Sequence, residues 1–385
     1  MKFMGFRRKS GKIGIRNHVV VFPTVICASV IAQKISREVP EVVYVTHQHG
    51  CGHLGKEKEH MMRAMTGFCS NPNIAGVLLV GLGCELITPE LMMVELKKSG
   101  QRVESVSIQE LGGTTNAVKK GVELVLKILD EATSVRRETA DIPELIVGTH
   151  CGGSDTMSGL SANPALGVAC DSLIEKGGTV ILSETPELLG TEHILKRRAV
   201  SEEVGRRILD IAKAAEARIN AMGVDIRGTE PSPGNIAGGL TTLEEKALGA
   251  IRKGGTTSIK EVIDYAQKPS QKGLIIMDGP AHDVISNIGM IASGAQLIVF
   301  TTGRGTPVGS PVAPVIKVSS NSRLYNCMQD NIDINAGTIL DGYETIQSVG
   351  EKIFHEMIEV SSGKETLAET LGHCEFAIHP IGPTV

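Results

Sequence analysis

The chain has 385 residues, 41% of them hydrophobic and 21% charged, with a formal net charge of −4. That exceeds one hydrophobic core and predicts two or three domains of ordinary globular composition. Three per cent aromatic residues, no Trp and no long basic run exclude stacking or electrostatic binding of nucleic acid.

No apolar run approaches the roughly 18 residues of a membrane helix, and Met1–Arg8 has no signal-peptide core. Eight Cys are too sparse for a disulfide scaffold, so reduced thiols or metal ligands in a cytoplasmic protein are expected.

Strand-length apolar runs alternate with helix-length segments. His18–Pro23, Glu41–Thr46, Ala75–Val80 and Gln101–Ser107 read as strands, with helices over Ile26–Arg37, Lys56–Met65 and Thr88–Lys98 between them. A helix near Asn116–Ala132 follows, then strands at Leu145–Val147 and Val180–Leu182 and a long amphipathic helix at Ser201–Ala221. The Pro/Gly cluster Gly228–Gly234 marks the predicted boundary between regions 1–228 and 229–385. Strands near Gly273–Met277, Leu297–Thr301 and Val315–Val318 carry the second region. The expected fold is α/β, in two or three domains of parallel βαβ units, with sites at the carboxyl ends of strands.

Three predicted strands run into Gly-rich loops that each carry one Cys. These are His47-Gln48-His49-Gly50-Cys51-Gly52-His53, Gly81-Leu82-Gly83-Cys84-Glu85, and Gly148-Thr149-His150-Cys151-Gly152-Gly153-Ser154-Asp155. Glycines there allow close approach of backbone to ligand, and Cys51, Cys84 and Cys151 can converge on one iron or one cluster with a position open to substrate. The competing reading makes each Cys a small core hydrophobe. Cys27, Cys69, Cys170 and Cys327 lie in apolar helical patterns and are assigned to the core. His47, His49 and His53 read as ligands, bases or solvated loop residues.

The strand Thr179–Leu182 leads into Ser183-Glu184-Thr185-Pro186-Glu187 and Gly190-Thr191-Glu192-His193. Glu184, Glu192 and His193 are candidate bases or ligands. Glu187 is accounted for equally well by a helix N-terminus that favours acids. Arg304, held between Gly303 and Gly305, can present its fork to a carboxylate, and Lys317 and Asn321 follow another strand; an ordinary turn and a solvated Lys are the plain alternatives. Gly81-Leu82-Gly83 lacks the third Gly of a dinucleotide fingerprint, and Gly303–Gly309 has no Gly-Lys-Ser/Thr ending. No nucleotide cofactor is expected.

Several long segments resemble the altronate/galactarate dehydratase family. They are Gly5-Phe6-Arg7-Arg8 with Gly14-Ile15-Arg16-Asn17; Cys151–Asp155 with Ser158-Gly159 and Ala162–Gly167; Ser183–Glu187 with Gly190–His193; Pro233-Gly234-Asn235 with Gly238–Lys246; and Thr301–Gly305. The resemblance covers nearly the whole chain, in order. It implies dehydration of a sugar acid to a 2-keto-3-deoxy acid, with iron (Fe2+ or an iron-sulfur cluster) or Mn2+ as the metal. Arg16, Asn17, Ser154, Asp155, Asn163 and Asn235 join Arg304, Lys317 and Asn321 as candidate substrate ligands. Members of the family commonly begin with a small antifreeze-like domain; this sequence starts at the catalytic part, so either a separate small subunit supplies that piece or the protein works without it, and the separate subunit is the expectation. An oligomer is expected as well.

The large subunit of sulfolactate sulfo-lyase is similar too. The resemblance implies that this sister group keeps the Cys-Gly-x-Ser-Asp segment without counterparts of Cys51 and Cys84, which favours the dehydratase. Both chemistries remove a proton beside a carboxylate and expel a group from the next carbon. A metal near the three Cys would act on the leaving hydroxyl, Arg304 and Lys317 would stabilise the enediolate, and His47 is the first candidate base, Glu184 the second. A non-catalytic sugar-acid-binding regulator is the alternative from another class.

Overall fold

Three sheets organise the computed structural model, which describes residues 1–382. In the first, strands Val43–Tyr44, His18–Pro23, Ile74–Gly81 and Arg102–Ser107 lie side by side in that order, all parallel. Helices Ser29–Glu38 and Thr114–Ser134 cover one face, and Lys56–Cys69 and Pro89–Lys98 the other. Burial on both faces is why His18–Pro23 and Ile74–Gly81 are apolar almost without alternation.

The larger sheet has seven parallel strands in the order Ile259–Ile263, Gly273–Met277, Thr179–Leu182, Ile146–Gly152, Leu297–Thr302, Val315–Ser319, Ile334–Asn335. Its earliest strand in the chain, Ile146–Gly152, sits in the middle. The next strand, Thr179–Leu182, pairs on one side of it, and Leu297–Thr302 later pairs on the other. Connections that leave a strand in opposite directions open a crevice beyond its carboxyl end, which is where open α/β sheets bind ligands. A third, antiparallel sheet sets Lys2–Arg7 between Ile13–Gly14 and Glu138–Asp141.

The α/β reading stands, with three local corrections. The predicted strand Glu41–Thr46 is only Val43–Tyr44, because it lies at the sheet edge and both predicted ends are exposed. The strand expected to stop at Val147 continues to Gly152, so His150 and Cys151 are strand residues rather than loop residues. The predicted division at 228/229 does not separate the sheets, since the seven-stranded sheet takes strands from both sides of it. The change of sheet falls instead between Ser134 and Ile146. Gly228–Gly234 is a surface excursion that returns Asn235 to Ser154. No helix of the described residues is long and apolar enough to cross a membrane.

Candidate active site

The crevice predicted by the topology contains a close group of buried ionisable side chains. Cys151 stands near the end of the central strand. Glu184 and Glu187 come from the segment after its neighbour, and Arg304 from the loop after the strand on the other side. These residues line a cavity of about 430 Å3 together with Ser154, Asn235, Lys246 and Asp283. A larger hollow of about 710 Å3 shares Ser154 and Lys246, but much of its wall is apolar, including Leu160, Val168, Leu240, Leu248 and Ile346. The smaller cavity is the one lined by Cys151, Glu184 and Glu187 together.

Cys151, Glu184 and Glu187 are buried, and one donor atom from each lies within 4.8 Å of the others. The Cys151 thiol donates to Glu187 at 3.1 Å. Lys253, 1% exposed, reaches the same point from beneath, with Nζ 2.9 Å from Cys151 Sγ and 2.7 Å from Glu184. Lys246 bridges Glu187 at 3.2 Å and Glu230 at 2.8 Å. Behind Glu184 stands His150, fully buried against Phe300, with Nδ1 3.4 Å from Glu184 and Nε2 3.1 Å from Asp283 at the cavity wall.

Environment separates the two glutamates. Burial and the Glu187 charge push the Glu184 carboxyl up. Burial also acts to raise Glu187, but Lys246 and Lys253 outweigh it and hold that carboxyl at about 2. Burial raises the Cys151 thiol well above its usual range, with Lys253 opposing. For His150, burial is outweighed by Glu184 and Asp283, and the imidazole is raised. Glu184 also holds a left-handed backbone, φ 76° and ψ 63°, which side-chain-bearing residues rarely adopt outside constrained sites.

The expected convergence of Cys51, Cys84 and Cys151 is replaced by a different group. Cys51 and Cys84 are exposed on neighbouring loops of the four-stranded sheet, joined where Gly50 accepts from Leu86 and Ile87. The three sulfurs form no common ligand group; among the described residues Cys151 forms one with Glu184 and Glu187 instead. Glu85 organises the second loop by accepting from Thr24, Leu82 and Gly83.

His47 is not poised as a base. Its Nε2–H donates to Pro23 at 2.6 Å, its Nδ1 accepts from His49, and burial pushes it down to about 4.

Several candidate substrate ligands turn out to hold the site together. Asp155 accepts from Ser158, Ser320 and Asn321, fastening three loops. Asn235 donates to the Ser154 carbonyl, and Asn163 links Thr301 to Gly249. Lys317 is fully buried and donates to the carbonyls of Pro307 and Val308. Arg16 grips Glu369 and three carbonyls, and Asn17 binds Arg8 and Ala132, away from the cavity. Glu192 and His193 begin a short helix outside the cavity lining, and His193 is exposed. Ser154 and Arg304 do line the cavity, and Arg304 is exposed at its mouth.

The sequence reading missed Lys246, Lys253, His150 and Asp283, and it gave Glu187 a helix-end role. The signal for His150 was its neighbour Cys151. Lys253 offered only the flanking Gly254-Gly255 as a hint of close packing.

Known proteins share this arrangement of segments. The family described as D-galactarate/altronate dehydratase, C-terminal, matches residues 142–384, and its second domain, described as D-galactarate dehydratase/altronate hydrolase, matches residues 5–133. Altronate dehydratase of Bacillus subtilis (strain 168) is 37% identical over 100% of this chain and 78% of its own length. Galactarate dehydratase (L-threo-forming) of Escherichia coli (strain K12) is 41% identical over 84% of this chain; the match spans 63% of that protein, less than two thirds. The (2R)-sulfolactate sulfo-lyase subunit beta of Chromohalobacter salexigens is 33% identical over 98% of this chain and 96% of its own. The chain belongs to the D-galactarate/altronate dehydratase family.

Proposed function

We propose that this chain removes water from a sugar acid to give a 2-keto-3-deoxy acid. The observation that carries the reading is the buried Cys151–Glu184–Glu187 group under a cavity that has Arg304 at its mouth and Asp283 in its wall. It is joined by the relatives named altronate and galactarate dehydratase.

The donor set suits a divalent transition metal, because it combines one sulfur with two carboxylates. Charge counting agrees. Lys246 and Lys253 balance Glu184 and Glu187, but Lys246 also faces Glu230, so a divalent cation bound with loss of the Cys151 thiol proton would bring the whole group to neutrality, leaving Arg304 to meet an anionic substrate. Bound there by Cys151, Glu184 and Glu187, iron or manganese would supply Lewis acidity towards a substrate hydroxyl.

The chain's own groups do the rest. Arg304 holds the substrate carboxylate and stabilises the charge that develops on it when the C2 proton leaves. Asp283 takes that proton; buried His150 fixes its carboxylate and carries charge away from the cavity. Lys246 gives its proton to the hydroxyl departing from C3, which leaves as water, and the proton taken up by Asp283 returns to Lys246 through solvent, so both groups are restored. The enol formed then tautomerises to the keto acid. Glu184, the second base candidate from sequence, serves here as a metal ligand.

Aldonates, aldarates and sulfolactate should be offered to the purified chain anaerobically with Fe2+ or Mn2+. The expected result is a 2-keto acid trapped by semicarbazide from altronate or a related hexonate or hexarate. Sulfite release from sulfolactate alone would replace this reading by the sulfo-lyase one, which the end-to-end match to that relative supports.

That relative is named as one subunit of its enzyme. A small antifreeze-like partner chain is proposed here on the same ground, and its addition should raise turnover.

A further inference from the structure

The Arg-Arg segment near the amino terminus lies at the opposite end of the molecule's first sheet from the Cys51 and Cys84 loops, and the proposed chemistry does not use it. It helps to wall a cavity of about 350 Å3 at the amino ends of strands Ile74–Gly81 and Arg102–Ser107. Six cationic side chains line it, Arg7, Arg8, Lys9, Lys12, Arg102 and Lys268, against one carboxylate, Glu131.

Some of this charge is already neutralised. Arg7 pairs with Glu138 and Glu144, and Arg102 with Glu104 and Glu131. Arg8, Lys9, Lys12 and Lys268 have no such partner among the described residues. Arg8 is held rigidly by neutral acceptors: the carbonyls of Pro72 and Arg16 and the side chain of Asn17. Lys268 donates only to the Ser70 hydroxyl, at 2.9 Å.

Helix ends offset part of this charge. Helices Lys56–Cys69, Pro89–Lys98 and Thr114–Ser134 all finish at this cavity. Each carboxyl end carries about half a negative charge, roughly −1.5 in all against four unpaired cations. Arg7 and Arg102 each face two carboxylates, so the surroundings come close to neutral, and the positive charge is concentrated on the four cations that line the cavity without a carboxylate partner.

Burial pushes Arg8 down to about 10, and burial together with Lys12 pushes Lys268 down to about 8.

We propose that this cavity is a binding site for a small oxyanion carrying two or more negative charges, of the phosphate-ester or polycarboxylate class. Arg8, its three nitrogens bonded to Pro72, Asn17 and Arg16, supplies a fixed positive charge in the wall, and Lys9, Lys12 and Lys268 supply mobile point charges around it. The site stands apart from the dehydration cavity, so it depends on no reading of the reaction.

The test is calorimetric titration of the full chain with pyrophosphate and, separately, with citrate, at ionic strength held constant with chloride. One-to-one saturation in either arm is expected, and the arm that binds tighter assigns the class. Lys12→Glu and Lys268→Glu should each weaken that binding by at least about tenfold. Arg304→Ala should leave it unchanged. The proposal is overturned if neither anion saturates below about 10 mM, if the two charge reversals bind like the parent, or if binding is lost in Arg304→Ala. Arg8→Ala is a poorer probe, since it also frees Pro72 and Asn17; native circular dichroism of the Lys variants guards against loss of fold.

Discussion

At the scale of single residues, the site divides into groups that hold charge and groups that move protons, and substitution separates the two. Asp283→Asn keeps the shape of the side chain and its reach to His150 but removes the base, so turnover should fall by about 10^2 to 10^4 with metal content unchanged. Glu187→Gln should lower metal content and turnover together. Retained metal in Glu187→Gln, measured by elemental analysis after anaerobic purification, would remove it from the ligand set.

Lys253 gives a sharper contrast. Its ammonium lies 2.9 Å from Cys151 Sγ and 2.7 Å from Glu184, so it competes electrostatically with a cation for the same donors. Lys253→Met should therefore bind metal at least as tightly as the parent, although it leaves the two buried carboxylates short of counter-charge and less stable when metal-free. Loss of metal in that variant would mean that Lys253 positions the ligands rather than competing for them.

At the scale of elements, loops are fixed to one another by polar side chains that a substrate-centred reading misassigns. Gly303 shows how tightly. A Cβ there would lie 2.2 Å from the Asp155 carboxyl carbon, and Asn321 donates both to Gly303 and to Asp155. Gly303→Ala should cost about 1–3 kcal/mol through overpacking and displace Arg304, seen as a lower unfolding midpoint and a raised KM.

Arg16 binds Glu369 through two nitrogens, at 2.7 and 2.9 Å, across 353 positions of sequence. Burial acts to raise Glu369, but Arg16 outweighs it and the carboxyl lies below its ordinary 4.5. A lowered carboxylate stabilises the fold above its unfolded value, and that contribution disappears as pH falls through the folded one. Glu369→Gln should thus cost about 2–3 kcal/mol near neutrality. The difference from the parent should narrow below pH 4.5; a gap that persists in acid would place the effect in packing instead.

Much at this scale was legible. Gly273–Met277 is a continuous apolar run bounded by breakers, so its strand and its burial on both faces follow directly. The helix Ala162–Glu175 was not, because nearly all its faces are buried and no 3.6-residue polar stripe marks it. Arg16 misled because a guanidinium fork grips a carboxylate of its own chain as readily as a ligand's. Lys253 was hidden for a related reason: Lys is normally exposed, and its burial follows only from folding Ile251–Gly254 under two strand ends.

At the scale of the molecule, the two parallel sheets share one core rather than abutting as separate domains. One continuous apolar cluster takes Val20, Phe22 and Phe68 from the first half together with Ile275, Ile298 and Phe300 from the second. Two fully buried asparagines rivet the seam. Asn71 Nδ2 donates to the carbonyls of Ile291 and Ala295, and Asn73 Nδ2 to those of Gln296 and Val312, all at 2.8 to 2.9 Å. Asn73 also accepts from the Ile15 amide. The tail adds a further tie, with Ile381 donating to Glu57 and His60 bonded to the His379 carbonyl.

Cooperativity should follow from this shared interior. The calorimetric enthalpy should match the van't Hoff value in a single transition, and a fragment ending near Ser134 should not fold alone, because it would expose the apolar face of helix Lys56–Cys69. Asn73→Ala strands two buried carbonyls and one buried amide without partners, at about 1–3 kcal/mol for each group left unsatisfied. That loss falls on the seam and spares the interior of either sheet. The variant should therefore melt in two resolved steps, with the four-stranded sheet first, while the parent melts in one. Differential scanning calorimetry with hydrogen exchange on strands Ile74–Gly81 and Leu297–Thr302 reads this directly. Equal loss of protection in both strands at one temperature would show that the seam is held by the apolar cluster and that the asparagines only complete it.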